Sequence, residues 1–426
     1  MITRIEAKNY RCLKGVAQSL SGFHVIAGPN GSGKSTFFEV PRVLGAFARD
    51  GLTSLWSECA AQSLEEMLHH GKGNAFELAV EMTTPDALSK AASGKDKEPA
   101  RRVLRYEVRV GRDKADEVPR ILSENLFLLP RAGAERGRSR APEQQMLFPA
   151  ESAADFSVVH ESAPRNSGWR TVARKSKGGN SYFKGETTEW NLQLRNGPDE
   201  SALRALPSDE RFELSNWFKQ QLTGGVQQLA LATEAMRKSS GPLKRKGFLT
   251  DGSNLPHVIA RLAEDRPGFD AWLEHLRTVL PIHAVDTVLK EEDKHRYLRL
   301  AYTYAPKVFV PSWHLSDGTL RMLALTLLAY LPDNTGTYLI EEPENGIHPQ
   351  AMEAVYQSLS SVYDGQILVA THSPVLVGLI SPDRLLCFSK TKSGETDVVT
   401  GDRHPRLKDW RKDMSLARLY AAGVLS

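Results

Sequence analysis

Nine consecutive residues near the start of the chain have the types and the spacing that bind a triphosphate. They fit the phosphate-loop pattern G-x-x-x-x-G-K-[ST], in which glycines let the backbone fold around an anion and point its N–H groups at it. Lys34 adds a mobile cation for the outer phosphates, and the Ser35 hydroxyl is a ligand for Mg²⁺. We expect every residue of the loop to contact the nucleotide: Gly28, Pro29, Asn30, Gly31, Ser32, Gly33, Lys34, Ser35 and Thr36.

The segments around this loop have the order that the motif requires. Residues 22–27 form a short apolar run typical of a buried strand, and a helix is predicted to begin at Ser35. A strand, a loop and a helix in this order place the loop at the positive end of the helix dipole. The sequence therefore predicts that a nucleoside triphosphate is bound, because an incidental glycine-rich surface loop would lack this context.

Two carboxylates follow a second predicted strand. Residues 337–340 are a buried-strand candidate and lead into Glu341 and Glu342. In a chain with a phosphate loop, one residue of such a pair holds the Mg²⁺ shell and the other orients and deprotonates the attacking water. Neighbouring residues on a strand point to opposite faces, so we expect a turn at the strand end to bring both carboxylates to one site. A solvated acidic loop is the alternative.

A histidine and the start of a helix complete the candidate residues. His372 follows the next apolar strand, residues 366–371, where its imidazole can reach the outer phosphate or the attacking water; a structural role is the alternative. Residues 315–321, Leu-Ser-Asp-Gly-Thr-Leu-Arg, precede an apolar helix that Ser316 or Asp317 can cap. Gly318 leaves backbone N–H groups accessible there, which suits an anion, although most such sequences only start a helix.

The composition excludes several classes of protein. A chain of 426 residues with 41% hydrophobic and 25% charged residues is typical of a soluble globular protein. Three cysteines without Cys-x-x-Cys spacing argue against a disulfide framework or a zinc site and favour a reducing cytosol. The N-terminus has no apolar signal core, and the longest apolar run is about half a membrane span. We therefore expect a cytoplasmic protein without a membrane contact.

The middle of the chain allows two interpretations. Residues 131–140 form a basic run, and Trp169, Tyr182, Phe183 and Trp190 are scattered among Arg, Lys, Gly and Ser. Cations interleaved with aromatic rings can neutralise phosphates and stack on bases, as a nucleic-acid surface does. The other interpretation is an irregular insertion with solvated charges, and it is favoured because the arginines share no clear helical face. The net charge of +4 is too small to indicate nucleic-acid binding by itself.

The order of these motifs resembles that of the ATP-binding-cassette (ABC) ATPases of the RecF/SMC/OLD type. The phosphate loop, LSDGTLR at 315–321, EEPENGIHP at 341–349 and THSP at 371–374 follow one another as in that group. The chain is similar to the small predicted AAA-like ATPases of bacterial genome maintenance and phage defence. The resemblance covers residues 1–82 and about 250–426 well, and the middle only loosely.

The resemblance implies an α/β fold, the head of an ABC ATPase. Such a head has a mostly parallel sheet around the phosphate loop, an antiparallel β-subdomain and a helical lobe that carries the signature motif. Alternation of apolar and polar residues at 75–82 and 104–110 independently predicts antiparallel strands. We divide the chain into ATPase lobe I (1–130), an irregular or helical insertion (131–250), the helical lobe (251–335) and the completion of the ATPase core with its C-terminal tail (336–426).

The resemblance also implies roles for individual residues. Glu342 would be the catalytic base, His372 the switch histidine, and Lys34 a phosphate contact that takes part in catalysis. Ser35 and Glu341 would hold Mg²⁺ beside ATP. The metal-side residue is usually Asp in this group, and Glu341 is one methylene longer. Which of Glu341 and Glu342 holds the metal and which activates water is therefore less defined.

The signature residues imply a second subunit. Ser316 and Gly318 would contact the nucleotide of another protomer, giving a head-to-tail homodimer with two ATP molecules between its subunits. Asp317 stands where transporter ATPases generally have Gly, which argues against a transport subunit. The glutamine that such ATPases place near the metal has no clear position in this sequence, since Gln62 is poorly anchored.

The leading hypothesis is an ATP-hydrolysing dimeric switch that senses or clamps DNA, or responds to a DNA-linked signal. It would control a separate effector protein, a nuclease or toxin, in phage defence or DNA maintenance. OLD-type nucleases carry a TOPRIM domain after the ATPase, and the roughly fifty residues after His372 are fewer than such a domain needs. The alternatives are a non-catalytic, ATP-dependent scaffold or DNA clamp of the RecF/SMC type in DNA repair, and another P-loop enzyme such as a helicase or kinase. The signature and the histidine weigh against the latter.

If the basic run at 131–140 binds DNA directly, the affinity will fall steeply with salt concentration. Each phosphate neutralised by a cation releases counterions, so the logarithm of the binding constant falls linearly with the logarithm of the salt concentration. Fluorescence anisotropy with a labelled oligonucleotide at several salt concentrations measures this slope. Salt-independent binding, or none, would remove nucleic acid as a direct ligand.

Overall fold

The structure is a computed structural model, and it describes most of the chain. The described residues are 1–86, 88, 103–113, 116–130, 156–165, 167–176, 179–242, 247–332, 335–407 and 415–425. The basic run at 131–140, for which a nucleic-acid surface was one interpretation, lies outside them. Within the described part, no helix is both long and apolar enough to cross a lipid bilayer.

A six-stranded sheet carries the phosphate loop. Its strands are β3 (Phe23–Ala27), β10 (Val226–Leu229), β14 (Thr337–Glu341), β15 (Gln366–Thr371), β16 (Leu385–Lys390) and β17 (Thr396–Thr400). They lie in the order β10–β14–β15–β3–β16–β17, and all neighbours are parallel except β17, which pairs antiparallel with β16. Every residue of β3 and β15 is buried, as in parallel sheets covered on both faces. The predicted, mostly parallel sheet around the loop is confirmed.

Helices cover this sheet on both faces. The helix after the phosphate loop is α1 (Lys34–Asp50). The other described α-helices are α2 (Thr53–Glu58), α3 (Leu64–Met67), α4 (Glu213–Gln220), α5 (Thr233–Met236), α6 (Leu255–Leu262), α7 (Arg266–Arg277), α8 (Asp317–Leu327), α9 (Met352–Ser360), α10 (Pro374–Gly378) and α11 (Leu416–Ala421). Ile26 of β3 packs in one hydrophobic core with α1, and Val25 packs in a second core with α6 to α9. The central strand therefore joins both cores, because alternate residues point to opposite faces.

A second sheet is antiparallel and packs against α1. Its strands are β1 (Ile2–Tyr10), β2 (Leu13–Ser19), β4 (Ala75–Thr83), β5 (Val103–Asp113), β6 (Asp116–Leu129), β7 (Arg170–Lys175), β8 (Asn180–Lys184) and β9 (Asn191–Arg195). They lie in the order β2–β1–β4–β5–β6–β7–β8–β9. The antiparallel strands predicted at 75–82 and 104–110 are confirmed as β4 and β5.

Three of these strands occupy a region that was predicted to be an irregular or helical insertion. Strands β7 to β9 fall within 131–250 and extend the antiparallel sheet. The prediction of irregular chain was wrong there because β7 and β8 show little alternation of apolar and polar residues, and the alternation in β9 covers only five residues. In β7, for example, the adjacent Val172 and Ala173 are both buried, and Lys175 is buried as well. Pairing with neighbouring strands, rather than a regular apolar face, places them in the sheet. The division of the chain into four parts remains a prediction.

The lobe at 251–335 contains a sheet as well as helices. Its helices include α6 and α7, whose apolar residues recur at helical spacing, and Trp272 and Leu276 of α7 are fully buried. Between α7 and α8 lies an antiparallel sheet of β11 (Ile282–Leu289), β12 (Arg296–Tyr302) and β13 (Ala305–Pro311). The sequence did not predict this sheet, since its edge strand β13 exposes apolar residues such as Val308 and so lacks a clean alternation.

A buried group of charges lies on the antiparallel sheet, on the face opposite its hydrophobic core. Arg105, 1% exposed, donates to Glu6 at 2.6 Å, to Glu81 at 2.9 Å and to Glu107 at 2.9 Å. Burial alone would raise the pKa of Glu6, but the charges of Arg105 and Arg4 lower it to about 2. The chain at 156–160 covers this group, and Arg105 also donates to the backbone carbonyl of residue 158.

Replacing Arg105 with Met should destabilise the fold by about 3–5 kcal/mol, because three buried carboxylates would lose their cation. Urea unfolding at neutral pH measures the change. The matched control is Arg109→Met on the same strand, whose half-exposed side chain lies 3.6 Å from Glu77 and should cost less than about 1 kcal/mol. Equal losses in the two variants would contradict the assigned role of the buried group.

In the wild-type protein, the contribution of Glu6 to stability should be complete above pH 4.5. It should be lost as the pH falls toward 2, since its folded pKa lies below the ordinary value of 4.5.

Candidate functional site

The carboxyl ends of three neighbouring parallel strands meet at one edge of the six-stranded sheet. Thr371 of β15 pairs with Ala27 of β3, and the residue before Thr371 pairs with Glu341, the last residue of β14. The phosphate loop therefore begins beside His372, and the acidic pair lies on the other side of that histidine's strand. This register brings the candidate residues from three distant segments together.

The backbone of the phosphate loop is packed too closely for side chains at two of its glycines. A Cβ on Gly28 would lie 2.2 Å from the carbonyl oxygen of Phe388, and one on Gly33 would lie 2.4 Å from Oγ1 of Thr396. Gly33 and Gly31 also have positive φ angles, 104° and 72°, which L side chains rarely adopt. The loop thus needs glycine at 28 and 33 for space, and at 31 and 33 for conformation.

Contacts from the last strand and helix hold the loop in place. Thr396 donates from Oγ1 to the carbonyl of Ser32 at 2.9 Å. The hydroxyl of Tyr420, on α11, accepts from the N–H of Gly28 at 3.2 Å and lies 3.3 Å from the carbonyl of the same residue. Neither residue was predicted for the site, because each lies more than 360 positions from its partner. The C-terminal part of the chain therefore supports the loop directly.

The side chain of Lys34 folds back over the first residues of the phosphate loop. Its ammonium group donates to the carbonyls of Gly28 at 2.8 Å and Pro29 at 2.9 Å. Burial lowers the pKa of Lys34, while the nearby charges of Glu342, Glu341 and Glu344 act in the opposite direction. The cation is thus held between the loop and the acidic residues.

The two carboxylates of the acidic pair reach one site through a turn, as the sequence predicted. Glu341 ends β14 and accepts a hydrogen bond from the Ser35 hydroxyl at 2.8 Å. Glu342 directly follows β14 and has a positive φ of 47°, which is rare for a residue with a side chain. Its N–H donates to the carbonyl of Ala370, and its Oε2 accepts from Nδ2 of Asn345 at 2.6 Å.

His372 lies close to Glu342 and is positioned by a residue that the sequence did not single out. Its Nε2 is 3.9 Å from Oε1 of Glu342, and its side chain is 32% exposed. Glu344 accepts from the backbone N–H of His372 at 2.9 Å and from the Thr371 hydroxyl at 2.6 Å. Glu344 belongs to the quoted EEPENG motif, so its spacing was visible, although its contact with the histidine was not.

A cleft of about 190 Å³ unites most of the predicted residues. Its lining includes these site residues together with Cys12 and Ala370: Asn30, Gly31, Gly33, Lys34, Ser35, Thr36, Glu341, Glu342 and His372. Gly28, Pro29 and Ser32 belong to the phosphate loop but do not line the cleft. The phosphate loop, the acidic pair and the histidine thus form one continuous surface.

The signature residues lie outside this cleft. Ser316 caps α8, where its hydroxyl accepts from the N–H of Thr319 at 3.2 Å. A Cβ on Gly318 would lie 2.4 Å from the carbonyl oxygen of Gly346, so the glycine permits close packing against the loop that follows the acidic pair. Asp317 forms an ion pair with Arg237 at 2.5 Å. The structure therefore does not bring Ser316 and Gly318 to the phosphate loop of their own chain.

A glutamine lies next to Glu341, the carboxylate that was expected from the sequence on the metal side. Nε2 of Gln228, on β10, donates to Oε1 of Glu341 at 2.9 Å. Gln62 is elsewhere, with its backbone N–H bonded to Glu66. Gln228 was missed because no local motif marks it, and its place depends on β10 lying beside β14.

Arg11, which lies close to the phosphate loop along the chain, forms an ion pair with Glu39 at 3.2 Å. It does not line the cleft, whereas the next residue, Cys12, does. Its guanidinium also donates to the backbone carbonyl of Cys59. Arg11 is therefore neither freely solvated nor part of the cleft surface.

The residues of the cleft fit ATP and Mg²⁺. A tightly folded glycine loop at the start of a helix presents N–H groups to an anion, and Lys34 adds a cation. The Ser32 hydroxyl, which is buried in the loop and does not line the cleft, has no hydrogen-bond partner among the described residues. The Ser35 hydroxyl and the Glu341 carboxylate are the hard oxygen ligands that Mg²⁺ prefers.

Replacing Gly33 with Ala should abolish nucleotide binding, because the new Cβ would both strain the backbone and displace Thr396. Gly31→Ala is the matched control: φ is positive there too, but no atom lies within 4 Å of the added Cβ. The control should therefore show only the strain of about 1–2 kcal/mol that an alanine suffers in this conformation. Titration with a fluorescent ATP analogue compares the variants, and equal affinities would contradict the packing argument.

Comparisons with solved structures identify the fold. One match is described as "Crystal structure of the SmcHead bound to the C-winged helix domain of ScpA". It is 15% identical, has a TM-score of 0.51, and the alignment covers 93% of this chain and 97% of that one. An Smc head domain from Pyrococcus furiosus, bound to the C-terminal domain of ScpA, is 13% identical with a TM-score of 0.47, covering 100% and 98% of the two chains. The first likeness shows the fold of an SMC head and, at this identity, the fold alone.

Comparison with protein families identifies the family. No curated protein matches the chain. A family model described as "AAA domain, putative AbiEii toxin, Type IV TA system" matches residues 160–378, just over half of the 426 residues. The matched stretch contains the signature, the acidic pair and His372, and the phosphate loop precedes it. The protein therefore belongs to this family of AAA-domain proteins, as an AAA-type ATPase with the fold of an SMC head.

Proposed function

We propose that this protein hydrolyses ATP within a head-to-tail homodimer and thereby controls a separate effector protein. The observation that carries the proposal is the convergence of the phosphate loop, Glu341, Glu342 and His372 on one cleft. Each of these groups has a distinct task in ATP hydrolysis, and the parallel strands hold them at fixed positions.

Binding of the triphosphate falls to the loop and Lys34. Backbone N–H groups of the loop and the start of α1 stabilise the phosphate charge. Lys34 now donates to two loop carbonyls, and it would exchange these contacts for the outer phosphates. Ser35 and Glu341 would hold Mg²⁺, which when bound neutralises charge on the phosphates. The hydrogen bond between these two side chains shows that they are within reach of one small ion.

Activation of water falls to Glu342. Its carboxylate borders the cleft next to His372, and Asn345 holds one of its oxygens. The other oxygen is left to accept a proton from the attacking water, as a general base does. His372 is placed by Glu344 to donate a hydrogen bond to the outer phosphate or to orient the water. The positive φ of Glu342 is backbone strain of the kind found at functional sites.

A second copy of the chain would complete the site. Ser316 and Gly318 lie outside the cleft of their own chain, at the start of a helix whose N–H groups suit an anion. In the proposed dimer, these residues contact the ATP bound to the other protomer. ATP would then close the dimer, and hydrolysis would open it.

The closing and opening of the dimer would control an effector protein, a nuclease or toxin. The setting would be phage defence or DNA maintenance inside the cytoplasm. The family description names the AbiEii toxin and a type IV toxin–antitoxin system, which supports a link to a toxic activity. DNA is a further candidate ligand. The second candidate function is a non-catalytic, ATP-dependent scaffold or DNA clamp, and the SMC-head fold supports it.

Replacing Glu342 with Gln should slow ATP turnover by about 10²–10⁴-fold, because the amide cannot take a proton from water. Binding of ATP should persist, since Lys34 and the loop are unchanged, and ATP should hold the variant as a dimer. Phosphate release measures turnover, and analytical ultracentrifugation with and without ATP measures the oligomeric state. Unchanged turnover would remove Glu342 as the base.

Ser316→Ala provides the complementary variant for the dimer. It should reduce the ATP-dependent dimer in the Glu342→Gln background without changing the nucleotide affinity of the monomer. A wild-type protein that binds ATP and dimerises but releases no phosphate would favour the scaffold instead.

A further inference from the structure

We propose that Arg42 and Glu58 are positioning residues for the metal-side carboxylate Glu341, and that they act on it through Gln228. This inference rests on the proposed function, because it assigns Glu341 to the metal. It adds two residues that line a different cleft from the one that holds the phosphate loop. It also explains why a glutamine stands beside a metal-binding carboxylate.

A continuous chain of hydrogen bonds joins these residues. Glu58 of α2 accepts from Nη2 of Arg42 at 2.5 Å, and Nη1 of Arg42 donates to Oε1 of Gln228. Nε2 of Gln228 then donates to Oε1 of Glu341 at 2.9 Å. The second oxygen of Glu341 accepts from the hydroxyl of Ser35 at 2.8 Å. Both oxygens of the carboxylate are therefore fixed.

Both ends of this arrangement are on the same helix. Ser35 and Arg42 are seven residues apart on α1, which is two helical turns, so they lie on the same side of it. Ser35 reaches one oxygen of Glu341 directly, and Arg42 reaches the other through Gln228. Helix α1 thus orients the carboxylate at two points, and one of them is the residue that would share the metal with it.

Arg42 determines which way the amide of Gln228 points. A glutamine amide has a donor end and an acceptor end, and either can occupy either position. The arginine has only donors, so it requires the carbonyl oxygen, and the amide nitrogen must then face Glu341. In the opposite orientation, a carbonyl oxygen would face the carboxylate and repel it. Glu58 in turn holds the guanidinium, so its loss should weaken the same orientation.

A surface ion pair is the alternative role for Arg42 and Glu58. Their side chains are 31% and 27% exposed, and exposed pairs contribute about 0–1 kcal/mol to stability. An ion pair of that kind would leave the metal dependence of nucleotide binding unchanged. The positioning role predicts a change in metal dependence with little change in metal-free binding, so the two roles have different consequences.

The test is Arg42→Ala, with affinity for Mg²⁺ as the readout rather than turnover. A fluorescent ADP analogue is titrated in EDTA and at increasing Mg²⁺ concentration. We expect the half-saturating Mg²⁺ concentration to rise by about 10–100-fold, the usual effect of removing a residue that orients a metal ligand. The affinity in EDTA should match that of the wild type, because the phosphate loop is untouched.

Arg49→Ala is the matched control. Arg49 is two turns further along α1 and lines the same cleft as Arg42, but its ion pair is with the adjacent Asp50. It should leave the Mg²⁺ dependence unchanged. Arg42→Ala introduced into a Gln228→Ala background should add nothing further, since both residues act through one chain of contacts.

An unchanged half-saturating Mg²⁺ concentration in Arg42→Ala, or additive effects with Gln228→Ala, would overturn the inference. If Arg42→Ala does not fold, Glu58→Gln takes its place, and it should shift the Mg²⁺ dependence in the same direction. A wild-type protein whose nucleotide affinity does not respond to Mg²⁺ would instead contradict the proposed function, so the two failures can be told apart.

Discussion

The register of three parallel strands is the constraint on which the rest of the site depends. Strands β14, β15 and β3 are hydrogen-bonded neighbours that end at the same level, so whatever follows each strand meets at one edge. A shift of one residue in β15 would turn His372 away from Glu342. The two hydrophobic cores, one on each face of the sheet, hold this register, because every residue of β3 is buried between them.

The parts of the site that the sequence predicted are those that a short motif defines. The phosphate loop, the acidic pair and His372 each follow an apolar strand, and the turn expected at Glu342 is present with its positive φ. Helices α6 and α7 likewise carry apolar residues at helical spacing. In these cases the local pattern and the tertiary structure agree, so the pattern alone was sufficient.

The residues that the sequence missed are placed by contacts between distant segments. Gln228 lies beside Glu341 only because β10 joins the sheet next to β14, and Tyr420 touches the phosphate loop only because α11 packs behind it. Strands β7 to β9 were missed for a related reason, since pairing with neighbouring strands holds them in the sheet, while alternation is weak in β7 and β8 and short in β9. A single sequence contains no local sign of such contacts.

The close contact between Gly318 and Gly346 affects how mutant phenotypes should be interpreted. Gly318 is in the first turn of α8, the helix that is proposed to touch the partner's nucleotide. Gly346 is in the loop that contains Asn345, which holds the carboxylate of the proposed base Glu342. A bulky residue at 318 would therefore disturb both the proposed subunit contact and the proposed hydrolytic centre of its own protomer. A loss-of-function allele at this glycine would not identify a dimerisation defect, whereas one at Ser316 would be easier to assign.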